Sequence, residues 1–176
     1  MNKEITIGTR IGAMIFDHFV MTLICVGVTA VFIGILAIID ILFDDHWILF
    51  AIMGTAVTLT FSVYLNKDAL KGQSPAKRSM KLQVIDMKTG KTASPLKCLL
   101  RNILLPIWII ELPFILINPQ RRLGDKIAGT IVEPYDAKKI EEFDKKEVLI
   151  SILVGMVYMA IIFGLYFGIS GKLLAL

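Results

Sequence analysis

From Ile11 to Ile39 the chain carries one charged side chain, Asp17, and from Trp47 to Leu65 and Leu149 to Ile169 it carries none. A helix needs about 20 apolar residues, at about 1.5 Å each, to cross roughly 30 Å of hydrocarbon. All three runs satisfy this and are predicted to span a bilayer. Composition agrees: 56% of residues are hydrophobic and 19% charged, against about 45–50% and about 25% in soluble domains. A soluble enzyme is not expected on that ground. The sequence also holds no Gly-x-x-x-x-Gly-Lys-Ser/Thr loop, His-Glu-x-x-His, Cys-x-x-Cys or Gly-x-Ser-x-Gly, so no enzymatic activity, metal or cofactor is expected. Cys25 and Cys98 are isolated from each other and read as packing residues. The first apolar run is far longer than the ~7–15 residues of a signal-peptide core, and the N-terminus is expected to be retained.

A fourth apolar run, Ile103 to Ile117, is short and contains Glu111, Pro106 and Pro113. Runs of this length are more often re-entrant or interfacial, although extension back through Arg101 and Asn102 would make a fourth span. Charge placement favours the first reading. Lys and Arg accumulate in short cytoplasmic loops, and they cluster from Lys67 to Lys97 and again from Arg121 to Lys146, while Asp40 to His46 has none. Both basic loops share the cytoplasmic side only if the fourth run enters and returns. Alternating Met80 to Asp86 and β-branched Thr130 to Glu133 read as two short strands able to pair under the same condition. The expected fold is an all-α integral membrane protein with three full transmembrane helices. A short Pro-broken re-entrant or fourth helix and a small cytoplasmic β-element complete it.

Candidate chemistry lies in the charges at the membrane face. Arg10 and Asp17 are about two turns apart on nearly the same face of the first helix. A carboxylate at a helix centre costs about 2.5–3.5 kcal/mol to insert and needs a partner, a proton or water. Asp17 is therefore either a functional intramembrane acid or a headgroup-level residue, because Phe19 to Ile39 is itself long enough to span. His18 reads as a hydrogen-bonded boundary residue. Glu111, between two prolines, is either a cation or proton site or an acid bridged to arginine, with Arg101 and Asn102 near the start of its segment.

Four ordered blocks carry a resemblance: Arg10-Ile-Gly-Ala-Met-Ile-Phe-Asp17, Gly72-Gln-Ser-Pro-Ala-Lys-Arg78, Leu100-Arg101-Asn102, and Arg121-Arg-Leu-Gly-Asp-Lys-Ile-Ala-Gly-Thr130. Together they resemble the RDD family of membrane proteins over about residues 8 to 134, with Ala76 where glycine is expected. The arginine and two aspartates that name the family look like Arg10, Asp17 and Asp125. The resemblance implies an RDD-like membrane domain over 1–134, with helices about 11–39, 47–65 and 96–118. A charged linker helix over 135–147 and a C-terminal transmembrane helix over 148–176 follow. It also implies a role in transport, with cation/proton antiport suggested for some relatives. Arg121, Arg122 and Asp125 occupy a basic loop where Asp125 would pair with Arg10 or Arg101; such pairing makes the set a structural clasp.

Two functions from different classes follow. The chain is either a small transporter exchanging a monovalent cation for protons at Asp17 and Glu111, or a scaffold or accessory subunit. In the second, basic cytoplasmic loops bind a partner or anionic lipid. Small residues Ala160, Gly164 and Gly168, and Ala30 and Gly34, fit helix packing within the monomer or a homo-oligomer. The net charge of +4 fits anionic-lipid attraction better than nucleic acid, which is not expected as a partner. The expected location is a bacterial-type plasma membrane with the N-terminus cytoplasmic.

Overall fold

The computed structural model describes residues 5–43, 46–104, 111–142 and 145–174. In chain order it contains α1 (Ile7–Phe43), α2 (His46–Leu65), α3 (Pro75–Ser79), β1 (Leu82–Asp86), α4 (Pro95–Arg101), α5 (Leu112–Ile117), α6 (Leu123–Ala128), β2 (Thr130–Pro134) and α7 (Lys145–Leu174). Residues Ile7–Ile39 and Lys145–Tyr166 are long and apolar enough to cross a membrane. Their outward side chains, among them Phe19, Leu23, Val31, Val157 and Ile161, are exposed. Water would not leave such surfaces bare, whereas lipid covers them at no cost. α2, a 20-residue helix, packs against both α1 and α7.

Apolar contact barely discriminates helix from lipid inside a bilayer, so small and polar residues set helix pairing there. The α2–α7 seam follows that rule. Ser62 Oγ donates to Ile152 O at 2.6 Å, and Asn66 Nδ2 donates to Ser151 O at 3.2 Å. Ser151 Oγ donates to the Asn66 carbonyl oxygen, and at 3.2 Å to Pro95 O, which ties the seam to α4. Gly155 permits the approach: a Cβ there would lie 2.5 Å from Ser62 Oγ. The small residues Ala30, Gly34, Ala160 and Gly164 instead face outward, and neither Gly34 nor Gly164 has an atom within 4 Å of a Cβ position. Among the described residues they do not pack within the monomer. Gly54 on α2 is likewise open, while Ser62, two turns further along α2, is buried against α7.

The two strands pair antiparallel, with Val84 opposite Val132 and Asp86 opposite Thr130. Val84 and Val132 are fully buried in a core with Ile5, Ala13, Ala76, Leu82, Ala93 and Cys98. This pairing returns the chain to its starting face. Asn102 and Glu111, on either side of the Pro-interrupted run, both accept hydrogen bonds from the Arg122 guanidinium. α5 has six residues, about 9 Å of helix, and just beyond it Gln120 O accepts from Val132 N at 3.0 Å in the sheet. The described ends of the segment thus meet at one guanidinium, the arrangement that entry and return of the run requires. Residues 105–110, with Pro106, and the acidic loop residues Asp44 and Asp45 lie outside the described residues.

Two further expectations are revised. Over 96–118 the described residues form α4, which ends at Arg101 with Asn102 as its cap, and α5 from Leu112. The charged linker expected as a helix over 135–147 forms a single 3-10 turn at Ala137–Lys139, with α7 beginning at Lys145. Its backbone is committed elsewhere: Tyr135 N bonds Lys81 O at 2.8 Å and Lys139 O accepts from Thr92 N at 2.9 Å. Glu141 pairs with Lys91 at 3.6 Å. Charge pairs at i,i+4 spacing contribute only about 0.2–0.5 kcal/mol and do not outweigh these bonds.

Substituting Gly155→Leu is expected to cost about 1–3 kcal/mol through overpacking and to lower the unfolding temperature in detergent clearly. Gly164→Leu should leave it nearly unchanged. Equal shifts for the two variants would refute the close α2–α7 approach.

Candidate functional site

Burying a charge costs several kcal/mol unless an opposite charge and hydrogen bonds compensate it. Where α1 and α2 meet the short helices, this chain buries nine charged side chains in alternating sequence. Asp17 of α1 is 1% exposed. Its carboxylate accepts from Ser74 Oγ at 2.6 Å, Ala76 N at 3.0 Å and Lys77 Nζ at 3.2 Å; Lys67 Nζ lies 3.8 Å away. The α1 aspartate thus holds the start of α3, where Ser74 is also the N-cap and Pro75 supplies the first-turn residue.

Lys77 continues the chain by donating to Asp68 Oδ1 at 2.8 Å. Arg101, 0% exposed, bridges two acids: its Nη1 reaches Asp68 Oδ2 at 3.0 Å and its Nε reaches Asp125 Oδ1 at 2.7 Å. Asp125 Oδ2 also takes Arg10 Nη2 at 2.9 Å and the Arg122 backbone N–H at 3.1 Å. Thr130 Oγ1 donates to Asp125 Oδ1 at 3.1 Å. Arg122 extends to Glu111 Oε2 at 2.8 Å and to the Asn102 carbonyl oxygen. Asn102 Nδ2 in turn donates to Leu65 O at 2.8 Å. Gly124 lies so close that a Cβ would sit 1.9 Å from Arg101 O. Only glycine fits there.

Beside the lattice is a cavity of about 10 Å³, lined by Arg10, Asp17, Lys67, Lys77, Arg101 and Arg122, with Ala13, Met14 and Ile115 as its apolar wall. That is about the room one water needs. Burial alone would raise the Asp125 carboxyl, but Arg101, then Arg10 and Arg122, hold it at about 2. Burial likewise opposes ionisation of Asp68, yet Lys77 and Arg101 keep it far below the usual carboxylate range. Burial pushes the Lys67 ammonium down to about 7, opposed by Asp17 and Asp68 and reinforced by Lys77 and Arg122.

The sequence model of the RDD family matches residues 6–129. The chain belongs to the RDD family. No curated protein and no solved structure matches it. Every charged member of the lattice falls inside the matched residues, whereas α7 lies outside them and joins α2 and α4 through neutral hydrogen bonds.

Arg10, Asp17 and Asp125 form one connected system, although Arg10 and Asp17 do not pair with each other. Arg101, Arg122, Asn102 and Glu111 belong to it; Arg121 does not, and its side chain forms no ion pair among the described residues. His18 lies to the side, 2.5 Å from Tyr64 Oη. Sequence reasoning missed Lys67, Asp68, Ser74 and Lys77 as site members. Their signals were the Lys67-Asp68 pair immediately after an apolar run and a Ser-Pro capping signature followed by lysine.

Arg101→Lys is expected to destabilise by about 3 kcal/mol or more, since one ammonium does not replace two guanidinium edges aimed at two acids. A melting temperature within a degree or two of wild type would contradict it. Asp125 contributes about 2 kcal/mol that is fully present above pH 3.8 and lost as pH falls through about 2. Acid unfolding of Asp125→Asn should lack that component. For Lys67 the slope has the same sign, but the shift costs stability below it: between about 7 and 10.5 the unfolded chain holds a proton the folded chain has released. Stability should rise with pH across that window, and Lys67→Met should remove the rise.

Proposed function

We propose that this RDD protein is a membrane scaffold or accessory module rather than a cation/proton exchanger. The observation that carries this is that Asp17, Asp68, Glu111 and Asp125 each pair with a buried Lys or Arg. A cation carrier needs a carboxylate free to trade its proton for an ion. Here the adjoining cavity presents five cationic side chains and one acid, a field that repels cations.

In this reading the lattice locks a small basic subdomain, residues 66–142, against the cytoplasmic ends of three spans, α1, α2 and α7. The paired strands support placing both basic loops on one side, and the Lys and Arg bias makes that side cytoplasmic in a bacterial-type plasma membrane. The subdomain offers the bilayer surface what an interfacial element needs. Leu96, Leu100, Leu116, Ile117 and Ile127 are exposed apolar residues on its short helices. Lys126 lies 5.1 Å over the Phe114 ring, its stem able to cover apolar surface while the ammonium reaches anionic headgroups. Lys145 and Lys146 at the start of α7 add to that attraction.

The test is reconstitution of the full chain in liposomes, with proton flux driven by Na⁺, K⁺ or Li⁺ and with thermal stability compared in anionic and neutral lipid. The scaffold reading expects no flux above protein-free liposomes and a stabilisation by anionic lipid that weakens when Lys126, Lys145 and Lys146 become Gln. Cation-dependent flux lost in Asp17→Asn would overturn it in favour of exchange.

A further inference from the structure

The lattice does not close on itself. Arg10, Lys67, Lys77, Arg101 and Arg122 supply five positive charges, against four negative from Asp17, Asp68, Glu111 and Asp125. All five cations, and only Asp17 of the acids, line the cavity between α1 and the subdomain. Three of the arginines keep N–H groups that are buried without an acceptor among the described residues: Arg10 Nε, Arg101 Nη2 and Arg122 Nε. These residues are 4%, 0% and 5% exposed, so bulk water does not satisfy them. The Lys67 ammonium, with its side chain 4% exposed, faces Asp17 at 3.8 Å, too far for a hydrogen bond, and the Tyr64 ring at 5.1 Å.

Unmatched positive charge, orphaned guanidinium donors and a cavity therefore coincide. A buried orphan donor costs about 1–3 kcal/mol, more when charged. A single negative ion in the cavity would satisfy such donors and cancel the excess. Size narrows the class: room for about one water suits a monatomic ion and leaves no place for a tetrahedral oxyanion. We propose that this cavity is a binding site for one small monovalent anion of chloride's size and charge. The ion completes the lattice by sitting among Arg10, Lys67, Arg101 and Arg122 against the apolar wall of Ala13, Met14 and Ile115. The proposal is independent of lipid binding, because the site is internal.

The test uses the full chain in a neutral detergent at about pH 6, where Lys67 keeps its proton. The groups facing that ammonium are Asp17 from α1, Lys77 from α3, Arg122 from the start of α6, and Tyr64 and Asp68 from its own segment. Chloride replaces gluconate at constant ionic strength while the melting temperature is followed. A saturable rise is expected, matched by bromide and not by phosphate. Lys67→Met should weaken the chloride response about tenfold or more while circular dichroism and gel filtration stay native. Should that variant fail to fold, Met14→Phe, which fills the cavity without changing charge, should abolish the same response. Identical melting in chloride and gluconate, an equal effect of phosphate, or a full chloride response in a folded variant would overturn the proposal.

Discussion

Arg101 stands between Asp68 and Asp125 with no contact to solvent, and the positions of the surrounding elements follow from that fact. A guanidinium so deeply buried is tolerable only if both acids are delivered to it at hydrogen-bonding distance. Asp68 comes from the turn after α2 and Asp125 from α6, so the bridge fixes the helical hairpin relative to the subdomain. Lys77 and Arg10 extend the alternation to α3 and α1. In a bilayer this role falls to charge because apolar contacts do not distinguish a neighbouring helix from lipid. The lattice supplies direction and register that a greasy interface lacks.

How much was legible follows from which properties are local. Hydrophobic length is local, and the runs that form α1, α2 and α7 stand out in the sequence. The strand pairing was legible because alternation over Met80 to Asp86 and β-branching over Thr130 to Glu133 coincide with a topological requirement that both basic loops share a face. The partners of Asp17 were not. Lys77 and Ser74 come from a loop whose path only the fold sets, and Asp68, in a polar stretch after a helix, looks like any solvated acid. Arg121 and Arg122 are adjacent and chemically identical. Only the backbone leading into α6 decides that Arg122 enters the lattice and Arg121 stays out. Gly124 stands in the loop read as basic, and its requirement is steric, set by the carbonyl of Arg101.

α7 is attached by a different chemistry. Its seam with α2 uses Ser62, Asn66, Ser151 and the gap at Gly155, all neutral. That division coincides with the end of the family match at residue 129. The charged clasp thus lies within the RDD match, and the last helix docks beyond it.

The β1–β2 pairing also imposes an order on biosynthesis. When α1 and α2 have left the ribosome, Asp17, Lys67 and Asp68 are present with Lys77 soon to follow, so one side of the lattice can form early. Arg101 then emerges with half its compensation, and Glu111 has none, until Arg122 and Asp125 arrive. β1 has no partner until β2 is made. The clasp therefore snaps shut late, after nearly all of the subdomain has been synthesised. Until then Arg101 and Glu111 lack the partners that compensate them in the folded chain.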